Sequence, residues 1–317
     1  MGMVVPQVRA RLVAHARDSI ARGSKSFRTA SRLFDLRTRE RAWLLYAWCR
    51  ACDDIADGQD HGGAMHATDD PHARLADIRA RTHRALAGAA GLDDPAFAGL
   101  AVVAAECALP RRFVDDLIEG FALDAAGWRP ASEADLMRYC YHVAGTVGCM
   151  MAIVMGAATD DAPTLDRACD LGLAFQLANI ARDIAEDAAA GRCYLPADWL
   201  REAAIDPADM LAQRTRPGLA DLAGRLGMLA ARYEQSARHG TPALPFRAAW
   251  AVLAAAGIYG GIARRVSRDP AAALARRIHT SRAEKLGWLL QGGWQAAARA
   301  RLYPPAPRGA TLWTRPA

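Results

Sequence analysis

The chain has 317 residues, 52% of them hydrophobic, with 40 Lys and Arg against 34 Asp and Glu and a net charge of +6. That length buries a substantial core and the composition is globular, while the basic residues are scattered without interleaved aromatics, which argues against a nucleic-acid surface. The seven cysteines, an odd number in a chain this large, argue against a secreted disulfide scaffold and for a reducing, cytoplasmic compartment.

Alanine is abundant, β-branched residues are sparse and alternation is hard to find, so an all-α protein is expected. The first nineteen residues are no signal peptide, because Arg9, Arg11 and Arg17 interrupt any apolar run. Val8–Ala21 reads as a helix ended near Gly23, followed by a loop, Gly23 to Phe27, rich in hydrogen-bond donors. Arg37–Asp57 reads as the next helix, then a polar loop, Gly58–Asp70. Further helices are expected at His72–Ala89 and Pro95–Ala108, and another opens at Pro110, since proline suits a first helical turn. Ser132 to Asp135 has the form of an N-cap before a helix at Leu136–Gly156, whose Ala144, Gly145 and Gly148 allow close packing or leave room for a ligand. Thr164–Ala189, Leu219–Gly240, Phe246–Ser267 and Arg282–Ala300 complete the series. The longest low-charge stretches, 143–159 and 248–263, fall short of the ~20 apolar residues of a membrane span. With no repeat, linker or strand-rich block, one helical domain over 1–317 is expected, its ordered core at about 8–300.

Two of these helices are anomalous. The first carries Tyr46, Arg50, Asp53 and Asp57 and the second Gln176, Asn179, Asp183 and Asp187. At about 100° per residue each set falls within an arc of roughly 60–80°. The residues between them are largely apolar, so both stripes are expected to face inward, where unpaired carboxylates are costly and imply a bound cation. Either stripe alone could be a solvated acidic face; two, each with hydrogen-bonding partners in register, point to a site. Oxygen-only ligands suit Mg²⁺ or Mn²⁺, which bind through a few carboxylates and substrate phosphates. Arg50 and Arg182 would neutralise the stripes when empty or clamp a diphosphate when loaded. Lys25, with Lys285 one of only two lysines, could add a phosphate donor beside Ser24 and Ser26. Asp115, Asp116 and Glu119 read as a solvated face, and Cys49 and Cys52 as apolar packing rather than a redox or zinc pair.

The segments GSKSF, YAWCRxCDD, YCYHVAGTVG, LGLAFQLANIARDIxED and GRCYLP resemble the bacterial phytoene synthases, the carotenoid branch of the squalene/phytoene synthase family. The resemblance runs from about Arg17 into the Pro/Trp-containing tail. It implies a class I isoprenoid synthase bundle around a central cavity. It further implies head-to-head condensation of two geranylgeranyl diphosphates, through prephytoene diphosphate, to phytoene. Asp53, Asp57, Asn179 and Asp183 match the family's metal positions, and Asp187 closes the second motif. Tyr46, Arg50, Gln176 and Arg182 match the diphosphate site, and Ser24, Lys25, Ser26 and Phe27 the substrate loop. Tyr139, Tyr194 and Tyr259 resemble cavity tyrosines, and a diphosphate-binding arginine falls on Arg277 or its neighbour Arg276. The resemblance implies Mg²⁺, with Mn²⁺ as a substitute, no NADPH, and coupling to the carotenoid enzymes before and after this step. The amphiphilic substrates, apolar product and basic charge are compatible with peripheral contact at the inner face of a membrane. Squalene or dehydrosqualene formation from farnesyl diphosphate stays open, as does, more remotely, a non-catalytic assembly factor of the same fold.

Overall fold

The computed structural model describes residues 6–23, 25–58, 70–89 and 91–316. Among these there are fifteen α-helices, three short 3₁₀ segments, one π-turn and no strand, so the protein is all-α as expected. They form two compact units, 1–126 with 150–161, and 127–149 with 162–317.

The first unit holds α1 (Pro6–Gly23), α2 (Lys25–Ser31), α3 (Leu36–Asp57), α4 (Pro71–Leu86), α5 (Pro95–Cys107) and α6 (Arg111–Ala125). Helix starts are written in aspartates. Asp35 accepts from the Thr38 amide, and Asp70 and Asp94, each just before a proline, cap α4 and α5. Helix α1 buries Leu12, Ala16, Ser19 and Ile20 along one stripe against α3 and α5. Helix α3 buries Leu44, Leu45 and Trp48, and the indole N–H of Trp48 donates to Thr82 Oγ1 (3.3 Å). It stops at Gly58, whose φ of 64° makes a left-handed cap immediately after Asp57.

The Gly23–Phe27 loop is not what forms: after Gly23 the chain turns helical again at Lys25. Ser31 ends α2 by donating to the Arg28 carbonyl and accepting from the Trp43 indole, so α3 supplies the anchor the local sequence lacks. Ser24 and most of the polar loop, 59–69, lie outside the described residues, as do the side chains of Lys25 and Ser26.

The second unit holds α7 (Glu133–Cys140), a π-turn (Tyr141–Gly145), the start of α8 (Thr146–Val154), α9 (Ala162–Ala189), α10 (Ala197–Glu202), α11 (Arg216–Arg238), α12 (Phe246–Arg268), α13 (Pro270–Ala275), α14 (Arg282–Ala297) and α15 (Arg299–Leu302). Ser132 and Asp135 form a full capping box for α7. The expected helix 136–156 forms with a π-turn inside it, and at that turn it lies against α9. A Cβ on Gly172 would sit 2.3 Å from the Ala144 carbonyl oxygen. Backbone packs on backbone there, so the small residues of this segment serve close packing.

Helix α9 packs on α11, α12 and the π-turn, and α12 packs on α11 and α14. Helix α12 is long and apolar enough to cross a membrane, but 61% of its apolar window is buried within the fold, as befits a core helix. The proline-rich tail beyond α15, expected outside the ordered core, is tied down. Arg308 meets the fully buried Asp170 (2.6 Å), Arg315 meets Asp166 (2.7 Å), and the Trp313 amide donates to the Tyr233 hydroxyl (3.0 Å).

Candidate active site

In the first unit the chemistry lies on α3. Arg50 reaches forward one turn, donating to Asp53 Oδ2 (3.0 Å) and pairing with Asp54 Oδ1 (2.5 Å). Asp54 was not singled out from the sequence, although it is the second acid of the same CDD triplet. Asp53 is crowded: burial first, then the Asp57 charge, push its carboxyl up to about 6, against the pull of Arg50. Asp124 on α6 adds to that negative field. Asp57 is exposed at the end of the helix. Two turns back from Asp53, Tyr46 is half-buried and its ring leans on Phe27 (5.6 Å between centroids), so α2 and α3 bring these two together. A Cβ on Gly23 would meet the Tyr46 hydroxyl at 2.2 Å, so the hydroxyl lies over the glycine. The Cys49 thiol is pushed up to about 12 by burial and that of Cys52 well above its usual value, which leaves both as packing groups.

In the second unit the chemistry lies on α9. Arg182 grips its neighbour Asp183 with two N–H groups, the Nε contact at 2.7 Å. Arg277, which follows α13, reaches the same carboxylate (3.1 Å) and also Glu186 (2.7 Å), a partner the sequence reading did not name. Of the two candidate arginines it is Arg277 that meets α9. Asp187, one turn beyond Asp183, is pushed up to about 6 by burial and then by the Asp183 charge, with Arg192 opposing. Gln176 and Asn179 are half-buried on the same helix. Tyr259 on α12 stacks on Phe175 (4.2 Å), and the Arg182 charge opposes the rise that burial gives its hydroxyl. Tyr139 stacks between Tyr194 (5.0 Å) and Trp128 (5.7 Å), the last unforeseen from sequence.

Among the described residues no three acids, histidines or cysteines form a preformed metal cluster. Each stripe instead offers two carboxylates one turn apart: on α3 Asp53 is both paired with Arg50 and pushed up by burial and the Asp57 charge, while on α9 Asp183 is the acid paired with arginine and Asp187 the one pushed up. Such a set has surplus negative charge and oxygen donors, and fits a hard divalent cation whose remaining ligands are water and phosphate oxygens. The arginines that hold the acids are bidentate donors of the kind that also grips phosphate.

Residues 20–284 match the family profile of squalene/phytoene synthases. Among relatives, the chain is 47% identical to a phytoene synthase of Pseudescherichia vulneris over 96% of its own length and 98% of that protein. It is 45% identical, with the same coverage, to a 15-cis-phytoene synthase of Pantoea ananas. Among solved structures, a dehydrosqualene synthase in complex with ligand superposes with a TM-score of 0.81 at 25% identity, over 92% of this chain and 99% of that one.

Proposed function

We infer that this chain, which belongs to the squalene/phytoene synthase family, joins two geranylgeranyl diphosphates head to head into phytoene, releasing diphosphate. The observation that carries this is near-full-length identity of 45–47% to phytoene synthases, with both aspartate motifs whole. It is a prenyltransferase of carotenoid biosynthesis.

In the proposed mechanism Asp53 and Asp57 on one helix, and Asn179, Asp183 and Asp187 on the other, would hold Mg²⁺. When bound, the cation neutralises charge developing on the departing diphosphate. Arg50, Arg182 and Arg277, freed from their carboxylates, turn to diphosphate oxygens, with Gln176 and the segment Ser24 to Phe27 as further contacts. Tyr46, Tyr194 and Tyr259 would present aromatic faces to an allylic cation and exclude water from it, while Tyr139, stacked between Tyr194 and Trp128, would hold the Tyr194 ring in place. No reductant is needed to reach phytoene, so NADPH plays no part. All seven cysteines are free, which accords with the reducing cytoplasm where we place the enzyme.

Incubating the purified chain with Mg²⁺ and either geranylgeranyl or farnesyl diphosphate, without NADPH, tests this. Phytoene from the first substrate is expected, and chelation should stop it. A product from farnesyl diphosphate alone would replace the substrate assignment with that of the dehydrosqualene-forming branch, which the 0.81 structural match keeps as the second reading.

A further inference from the structure

Helix α14 is oriented against the usual rule for a surface helix. Its inner side is well made: Trp288 packs over Gly257 and under the Arg264 guanidinium (5.2 Å from the ring), and Gly292 lies against the Ala254 backbone. Its outer side is apolar. Leu286, Leu290 and Trp294, spaced i, i+4, i+8, are 57%, 68% and 58% exposed. Gly287, Gln291 and Ala297 complete that face, and no acid interrupts it. Phe246, 43% exposed, lies on the adjoining α12 beside Trp250, whose indole donates to the Leu289 carbonyl (2.7 Å).

Charge brackets the stripe. Arg282 and Lys285 stand in the first turn, where the helix dipole disfavours cations, and the exposed Arg301 follows its end, whereas Arg299 is turned inward onto the Ala296 and Leu244 carbonyls. The lone acid after residue 280, Glu284, is engaged by Arg265. Core packing therefore explains neither the leucines and tryptophan facing outward nor the cations at an electropositive terminus. An interfacial helix explains both: apolar face in the acyl boundary, basic ends among anionic headgroups.

We propose that the outer face of α14 docks this protein on an anionic lipid bilayer. The charge pattern carries the proposal; its biological sense rests on the function inferred above, since prenyl substrates and a hydrocarbon product partition into bilayers.

The test is flotation of the purified full-length chain, without substrate, with vesicles of phosphatidylcholine alone or with added phosphatidylglycerol. Binding to the anionic vesicles is expected, weakened by salt and weakened roughly tenfold or more by Leu290→Glu. Arg282→Glu with Lys285→Glu, outside the core, should weaken it with helicity and melting temperature intact. Brominated lipid should quench wild-type fluorescence, and Trp294→Phe should remove most of that quenching. Absence of flotation, equal flotation of Leu290→Glu, or conversion of a dimer to a monomer by Leu290→Glu would each overturn the proposal. Activity on detergent-dispersed geranylgeranyl diphosphate is read separately. Activity without flotation defeats only the docking surface, and flotation without activity defeats only the enzymatic reading.

Discussion

On α3, the arginine that restrains the acids comes from the same helix: Arg50 spans one turn and divides between Asp53 and Asp54. On α9, Asp183 is held by its own neighbour and by Arg277, 94 residues away in sequence. The two stripes nonetheless reach the same electrostatic end, with Asp53 and Asp187 each raised to about 6 by burial and a like charge. A local pair survives small movements of the rest of the fold, whereas a long-range one depends on how the segment after α13 is placed. The first stripe is therefore self-contained and the second is assembled.

Breaking either stripe should have the largest effect. Asp53→Ala and Asp183→Ala should each lower turnover by roughly 10²–10³-fold or more, the scale of losing a charge-stabilising group, with helicity by circular dichroism retained. Full activity in either variant would remove that residue from the site. The assembled character of the α9 stripe is sharpened by Arg277→Ala beside Arg276→Ala. The first should cost about ten- to a hundredfold in kcat/KM, the second little; equal losses would mean that the contact to Asp183 does not decide function.

A third test concerns the self-contained stripe. Gly23→Ala places a methyl on the Tyr46 hydroxyl, so the ring must shift. Overpacking of this kind costs about 1–3 kcal/mol, and kcat/KM should fall several-fold while Mg²⁺ dependence is unchanged. An unaltered KM and kcat would show that Tyr46 need not stand where it does.

The smallest effect tests the shared end. The raised carboxyls bind protons in the folded state that they release when unfolded, so their contribution to stability is greatest at low pH and is lost as pH rises through about 6. The metal-free melting temperature should therefore carry a component that falls between about pH 4, where the unfolded carboxyls ionise, and about pH 6, where the folded ones do. Asp187→Asn should flatten it and raise the pH 7 value by roughly 2–4 °C, about 1 kcal/mol for a fold of this size, although the variant is inactive. If the melting curves superimpose, Asp187 is not under the strain assigned to it.

These contrasts also mark what the sequence made legible. The two acidic helices were readable almost to their ends, because an apolar helix interrupted by carboxylates every turn is a period-3.6 signal that no other element imitates. Ser132 announced a helix start through local hydrogen bonding, and in the structure Asp35 and Asp94 cap α3 and α5 by the same means. Features set by distant chain were not legible. Glu186 becomes a partner only when Arg277 arrives, and α2 is helical where glycine and serine suggested a loop because Trp43 anchors Ser31. The π-turn lies where Gly172 of another helix admits the Ala144 carbonyl, a contact that residues 141–145 alone do not reveal.

The strap that ties the tail to α9 sets an order for synthesis. Asp170 emerges from the ribosome 138 residues before Arg308, an interval of about 7–28 s at ordinary elongation rates. Until then a carboxylate meant for full burial has no Arg308 to pair with, and leaving it so costs roughly 3–5 kcal/mol. The nascent chain can make the Ser236 contact to Asp170 earlier, but the strap itself waits for residue 308, and a chain ending before it should melt lower for want of that ion pair.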